Sequence, residues 1–74
     1  MGRIIKQTPL KIAFGHIVKT RRIFLKFTQE KLAEKADLNL SFVSQIERGQ
    51  RDVGLETLYK LANALNTHPG NLLP

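Results

Sequence analysis

The stretch that decides the fold runs from Thr28 to Gly49, TQEKLAEKADLNLSFVSQIERG. Thr28 supplies a hydroxyl that can cap a helix, and Leu32, Ala33 and Ala36 follow at the spacing of one helical face. The helix stops near Asp37, a residue type that tolerates the left-handed conformation. Asn39 caps a second helix, Val43 and Ile46 face inward, and Gly49 closes it. A helix of about eight residues, a three-residue turn and a second short helix therefore succeed one another. Two short helices joined so tightly must cross steeply.

That arrangement is a helix-turn-helix, a pair whose second member can enter the major groove of DNA. The groove is about 12 Å wide and a helix with its side chains about 10–12 Å across, so one helix end fits. The outward face of the second helix carries Ser41, Ser44, Gln45 and Arg48, with Leu40 at its tip. A solvated face usually carries Lys and Glu at i, i+4. Short hydroxyls and an amide are instead suited to base edges: Gln pairs with adenine, Ser contacts many edges, and a leucine can touch a thymine methyl.

Outward from this core stretch, the chain reads as further short helices. Thr8-Pro9 is a cap followed by proline at the first helical position, where the missing N–H costs nothing. Leu10, Phe14, Ile17, Val18 and Leu25 then share one face, interrupted by Gly15, which weakens a helix unless close packing needs a small residue. Ile12, Ile23 and Phe24 fall outside that stripe. After Gly54, Leu55, Leu58, Leu61, Ala62 and Leu65 line the buried face of a fourth helix, and His68-Pro69 opens a last helical turn bearing Leu72 and Leu73. No strand alternation interrupts the pattern. The expectation is an all-α, compact five-helix domain over residues 9–74, preceded by a short extended basic arm over residues 1–8 in which Arg3 and Lys6 can reach around a duplex.

Composition bounds the function. The 74 residues suit one domain with a modest core. The absence of cysteine excludes disulfides and thiolate metal sites. His16 and His68 show no ligand spacing, and neither a nucleophile triad nor a glycine-rich phosphate loop is present, so no cofactor and no catalysis are expected. His16 reads as a helix-surface residue and His68 as a cap. No apolar run suits a membrane span or a secretory leader, so a cytoplasmic protein with no membrane contact is expected. The net charge of +6 is lopsided: residues 1–37 hold nine basic side chains against three acidic ones, residues 38–74 three of each. A basic half favours a polyanionic partner.

The segments Thr28-Gln29-Glu30-Lys31-Leu32-Ala33, Val43-Ser44-Gln45-Ile46-Glu47-Arg48-Gly49 and Leu55-Glu56-Thr57-Leu58-Tyr59-Lys60-Leu61-Ala62-Asn63-Ala64-Leu65 resemble the phage repressor and Cro-like (xenobiotic-response-element type) helix-turn-helix domain, from about Phe14 to Leu73. The resemblance implies a five-helix, repressor-like fold, dimeric binding to near-palindromic double-stranded DNA operators, and transcription regulation. It implies that Leu40, Ser41, Ser44 and Gln45 read bases. Gln29 and Thr28 at a helix start, and Gln50 and Arg51 after the recognition helix, would contact phosphate. Arg48 is an outward charge, either a further phosphate contact or a plain solvated side chain. Arg22 and Glu47 would form a structural ion pair, and Phe42 would pack half-buried beside the turn.

This chain departs from the family where glycine is common: Lys26 and Asp37 occupy those positions, which makes Lys26 a candidate for positive φ. The sequence stops at Pro74, so neither a separate effector domain nor a long dimerisation segment is expected. Small size fits a stand-alone regulator such as the controller proteins of restriction–modification systems. The alternative is an antitoxin-type module that sequesters a partner protein, though no toxin-wrapping segment is visible. Repression would follow from an operator overlapping a promoter, and activation would need an RNA polymerase contact.

Overall fold

The structure, a computed structural model, describes residues 7–74. Among the described residues the regular elements are α1 (Pro9–Phe24), α2 (Gln29–Ala36), α3 (Leu40–Glu47), α4 (Leu55–Ala64) and a single 3-10 turn, Pro69–Leu72. The expected fifth helix is thus one 3-10 turn. Proline at its start and Gly70 inside it limit it to i→i+3 bonds, such as Asn71 N–H to the His68 carbonyl at 2.9 Å.

Local chemistry sets where each helix begins. The hydroxyl of Thr8 accepts from the Lys11 amide at 3.2 Å, that of Thr28 from the Lys31 amide at 3.0 Å, and Asn39 Oδ1 from the Ser41 amide at 2.8 Å. His68 Nδ1 accepts from the Gly70 amide at 3.0 Å. Positive φ ends or connects the helices at Lys26 (62°), Asp37 (55°), Gly49 (74°) and Asn66 (54°). Lys26 carries the cost of that conformation, about 1–2 kcal/mol for a residue with a Cβ.

The helices enclose one core. Val18 of α1, Leu32 of α2, Val43 and Ile46 of α3, and Leu61 and Leu65 of the α4 segment are all wholly buried. Each such side chain contributes about 1.5–3 kcal/mol of burial. α3 packs against both α1 and α2, while α4 packs on α2 and the 3-10 turn. Gly15 explains the close crossing of α1 over α3: a Cβ there would collide with the backbone carbonyl of Ile46 and lie 3.1 Å from that of Glu47. Gly49 is similarly confined, its Cβ position lying 2.9 Å from Ile12 Cγ1. Ile12, outside the main stripe, therefore still lies against the end of α3.

Two leucines expected on the inward faces, Leu10 and Leu55, are not inside, and Leu73 of the last turn is exposed as well. Leu10 is 68% exposed, Leu55 73% and Leu73 55%. Leu10 and Leu55 occupy the first turns of α1 and α4, where the helix has not yet reached the packed layer, and Leu73 follows the 3-10 turn in extended backbone. Ile23 and Phe24 are exposed, with the Arg21 guanidinium 5.4 Å from the Phe24 ring centroid. Arg21 also donates to the carbonyls of Leu65 and Asn66, both at 3.1 Å, closing the C-terminal end of α4. His16 lies on the exposed surface of α1.

Candidate nucleic-acid interface

Two side-chain networks meet on α3, one buried and one facing outward. In the buried one, Arg22 of α1 forms a fork on Glu47: Nε donates to Oε2 at 2.7 Å and Nη2 to Oε1 at 3.0 Å. The remaining Arg22 nitrogen donates to the Phe27 carbonyl at 2.7 Å. Gln29 Nε2, at the start of α2, donates to the same Glu47 Oε1 at 3.0 Å. The side chains of the pair are only 12% and 2% exposed. Three helices are thereby pinned at one carboxylate, and no buried side-chain polar atom among the described residues lacks a partner. Three donors converge on Glu47, which fits a structural anchor.

The outward network begins where α3 ends. The left-handed turn at Gly49 reverses the chain, and the Gln50 amide donates to the Gln45 carbonyl at 2.9 Å. Gln50 and Arg51 consequently fold back beside the helix. Arg51 Nε donates to Gln45 Oε1 at 2.7 Å, and its guanidinium lies 5.3 Å from the Phe42 ring centroid. Arg48 Nη1 donates to Ser44 Oγ at 2.7 Å, with Nε 3.4 Å from Gln50 Oε1. Ser44 and Gln45 are half-buried beneath these arginines, while Ser41, Arg48 and Arg51 are exposed and Leu40 is 42% exposed at the tip. The first turn of α3 holds no acidic residue, so the positive end of its dipole is not offset there.

The structure thus brings Ser44, Gln45, Arg48, Gln50 and Arg51 onto one surface, with Leu40 and Ser41 at the leading end of the same helix. Gln29 is tied to this unit through Glu47, one amide hydrogen being committed to the carboxylate. Thr28 is exposed, its hydroxyl acting as a cap. Arg3 and Lys6 lie outside the described residues. Sequence reasoning missed Gln7, whose Nε2 donates to the Arg48 carbonyl at 2.6 Å and ties Gln7 to the end of α3. It also treated Phe42 as packing alone, whereas its ring carries the Arg51 guanidinium. An aromatic three residues before Gln45 and an arginine six after it were visible, but only the Gly49 reversal brings them together.

A helix-turn-helix family model matches residues 18–72 of the chain. The chain belongs to this helix-turn-helix family. Its sequence is 38% identical over 65 residues to the control protein C.BamHI of Bacillus amyloliquefaciens, covering 86% of this chain and 80% of that protein. It is 41% identical over 64 residues to the control protein C.SmaI of Serratia marcescens, covering 86% and 76%. In structure it is similar to the restriction–modification controller protein C.AhdI of Aeromonas hydrophila, with a TM-score of 0.83 and 38% identity over 85% of this chain and 96% of that one. With this membership and these relatives, the helix-turn-helix chain is a DNA-binding regulator, not an enzyme. Among its described residues, no helix is long and apolar enough to cross a membrane.

Proposed function

We propose that the protein is a sequence-specific transcription regulator of the controller type, binding a near-palindromic operator as a dimer, with α3 of each copy in a major groove. The observation that carries this reading is the outer face of α3. Leu40, Ser41, Ser44 and Gln45 present an apolar tip, hydroxyls and an amide, and Arg48 and Arg51 flank them. In this reading, Ser41, Ser44, Gln45 and Leu40 specify bases. Gln29, Thr28, Arg48, Gln50 and Arg51 set the register through phosphates, since backbone contacts position a protein while base contacts select the sequence. Arg51 Nε serves Gln45, which leaves its terminal nitrogens for a phosphate. In this reading Arg3 and Lys6 also contact the duplex, and the Gln7 bond to the end of α3 supports it.

The exposed leucines support a contact with a second copy. Leu10, Leu55 and Leu73 gather with Val53 around a groove of about 240 Å³ whose rim includes Arg51. In this reading the two copies meet on this face, and the operator has half-sites centred about 34 Å apart, the usual spacing of dimeric helix-turn-helix proteins. The similarity to C.BamHI and C.SmaI supports the controller role. In this reading the protein acts in the cytoplasm with the DNA it regulates. Selection of bound fragments from random duplexes tests the reading. It is expected to return an inverted repeat with half-sites one helical turn apart. Recovery of unrelated sequences, with equal affinity at low salt for every duplex, contradicts it.

A further inference from the structure

We infer that Arg51 is a positioning residue for base recognition, because it fixes which end of the Gln45 amide faces the groove. The inference rests on the operator-binding reading above and deepens it. A glutamine amide offers an acceptor at one end and two donors at the other, and a free side chain turns either toward a base. Here the choice is made by a partner with one polarity. Arginine has donors and no acceptor, so the group receiving the Arg51 Nε–H at 2.7 Å must be the amide oxygen. The amino end is thereby turned away from Arg51.

The holder is itself held. Phe42 is half-buried and packed against the core, and the guanidinium lies 5.3 Å from its ring centroid. This cation–ring contact orients the plane of the guanidinium while leaving its edge nitrogens for hydrogen bonds. The chain reversal at Gly49, with the Gln50 amide bonded to the Gln45 carbonyl at 2.9 Å, fixes the distance between the two residues. Core, aromatic ring, guanidinium and amide form one chain of contacts ending at the reading face.

The consequence concerns sequence. A glutamine with both ends free pairs with adenine, which offers an acceptor and a donor in the major groove. With one lone pair of its oxygen taken and the carbonyl turned toward Arg51, Gln45 leads with its N–H groups. It therefore selects edges made of acceptors, guanine with N7 and O6 or thymine with O4, over adenine and over the donor edge of cytosine. Lysine at position 51 keeps the charge but lacks the planar donor that holds the amide. Arg51 thus acts on specificity through Gln45 in addition to any phosphate it meets.

The test compares fragment selection and affinities for the parent chain, R51K, Q45A and the double variant, with thermal melting as a check of folding. The parent is expected to prefer guanine or thymine at one half-site position by about tenfold. In R51K, that preference should fall below about threefold, a larger change than the loss of affinity for unrelated duplex. The double variant should show no further change at that position beyond Q45A, since the two residues act as one unit. A uniform weakening of R51K on all duplexes with the selected motif intact overturns the inference and leaves the operator reading standing. A parent chain that returns no motif overturns the operator reading itself.

Discussion

The two networks on α3 use nearly the same groups and do opposite things. Arg22, Gln29 and Glu47 sit in a place where the side chains of the pair are 12% and 2% exposed. Arg48, Arg51, Ser44 and Gln45 sit at the surface. Burial makes the difference. A charge withdrawn from water must keep every partner, because losing one leaves a desolvated ion at a cost of about 3–5 kcal/mol. At the surface, water replaces a lost partner and each bond contributes little to stability, so the same donors can be exchanged for phosphates and bases. One side of the helix holds the domain together and the other side is available to a ligand.

The comparison predicts where stability and binding separate. Glu47→Ala should produce the largest effect, lowering stability by about 3–5 kcal/mol in denaturant unfolding, since Arg22 would be left buried and unpaired. Gly15→Ala should follow at about 3 kcal/mol, because the added methyl meets the backbone carbonyl of Ile46, which cannot move independently of α3. Gln45→Ala should instead leave the melting temperature nearly unchanged and weaken binding to the selected site by about 1–3 kcal/mol, with relaxed preference at one base pair. A substantial loss of stability in Gln45→Ala would break the division between the two faces.

The smallest change sharpens the comparison. Lys26→Gly should raise stability by about 1 kcal/mol, because glycine adopts the left-handed backbone without a Cβ clash. In a domain of this size that corresponds to a rise in melting temperature of about 4–8 °C. Lys26 lies next to Phe27, whose carbonyl receives Arg22, so the gain belongs to the buried side. The selected DNA motif should stay the same.

What the sequence revealed and what it hid follow from the range of the interactions involved. The caps at Thr8, Thr28, Asn39 and His68 were legible because each acts within three residues of itself. Lys26 stood out as a left-handed position against the family pattern, and Asp37 as a residue able to adopt that conformation; both have it. Helical periodicity picked out Val43 and Ile46 as inward residues, and both are wholly buried. Periodicity gave a face but not an end to the packed layer, which is why Leu10 and Leu55, on the right faces at the first turns, were misjudged as buried. Asn66 gave no comparable signal, although its φ is 54°. Arg21 on the carbonyls of Leu65 and Asn66, and Gln7 on that of Arg48, join residues more than forty apart. No local pattern encodes such contacts. The candidate reading residues were visible as a polar face lacking the usual charges; the arginines that hold two of them became visible only once the Gly49 reversal was in place.

Mapping of backbone amide chemical shifts while a duplex bearing the selected site is added tests the central claim most directly. The account predicts the largest changes at residues 40–45 and at Gln50 and Arg51, with the exposed Ile23–Phe24 end of α1 nearly silent. Changes centred on that end of α1, with residues 40–45 unmoved, would contradict it.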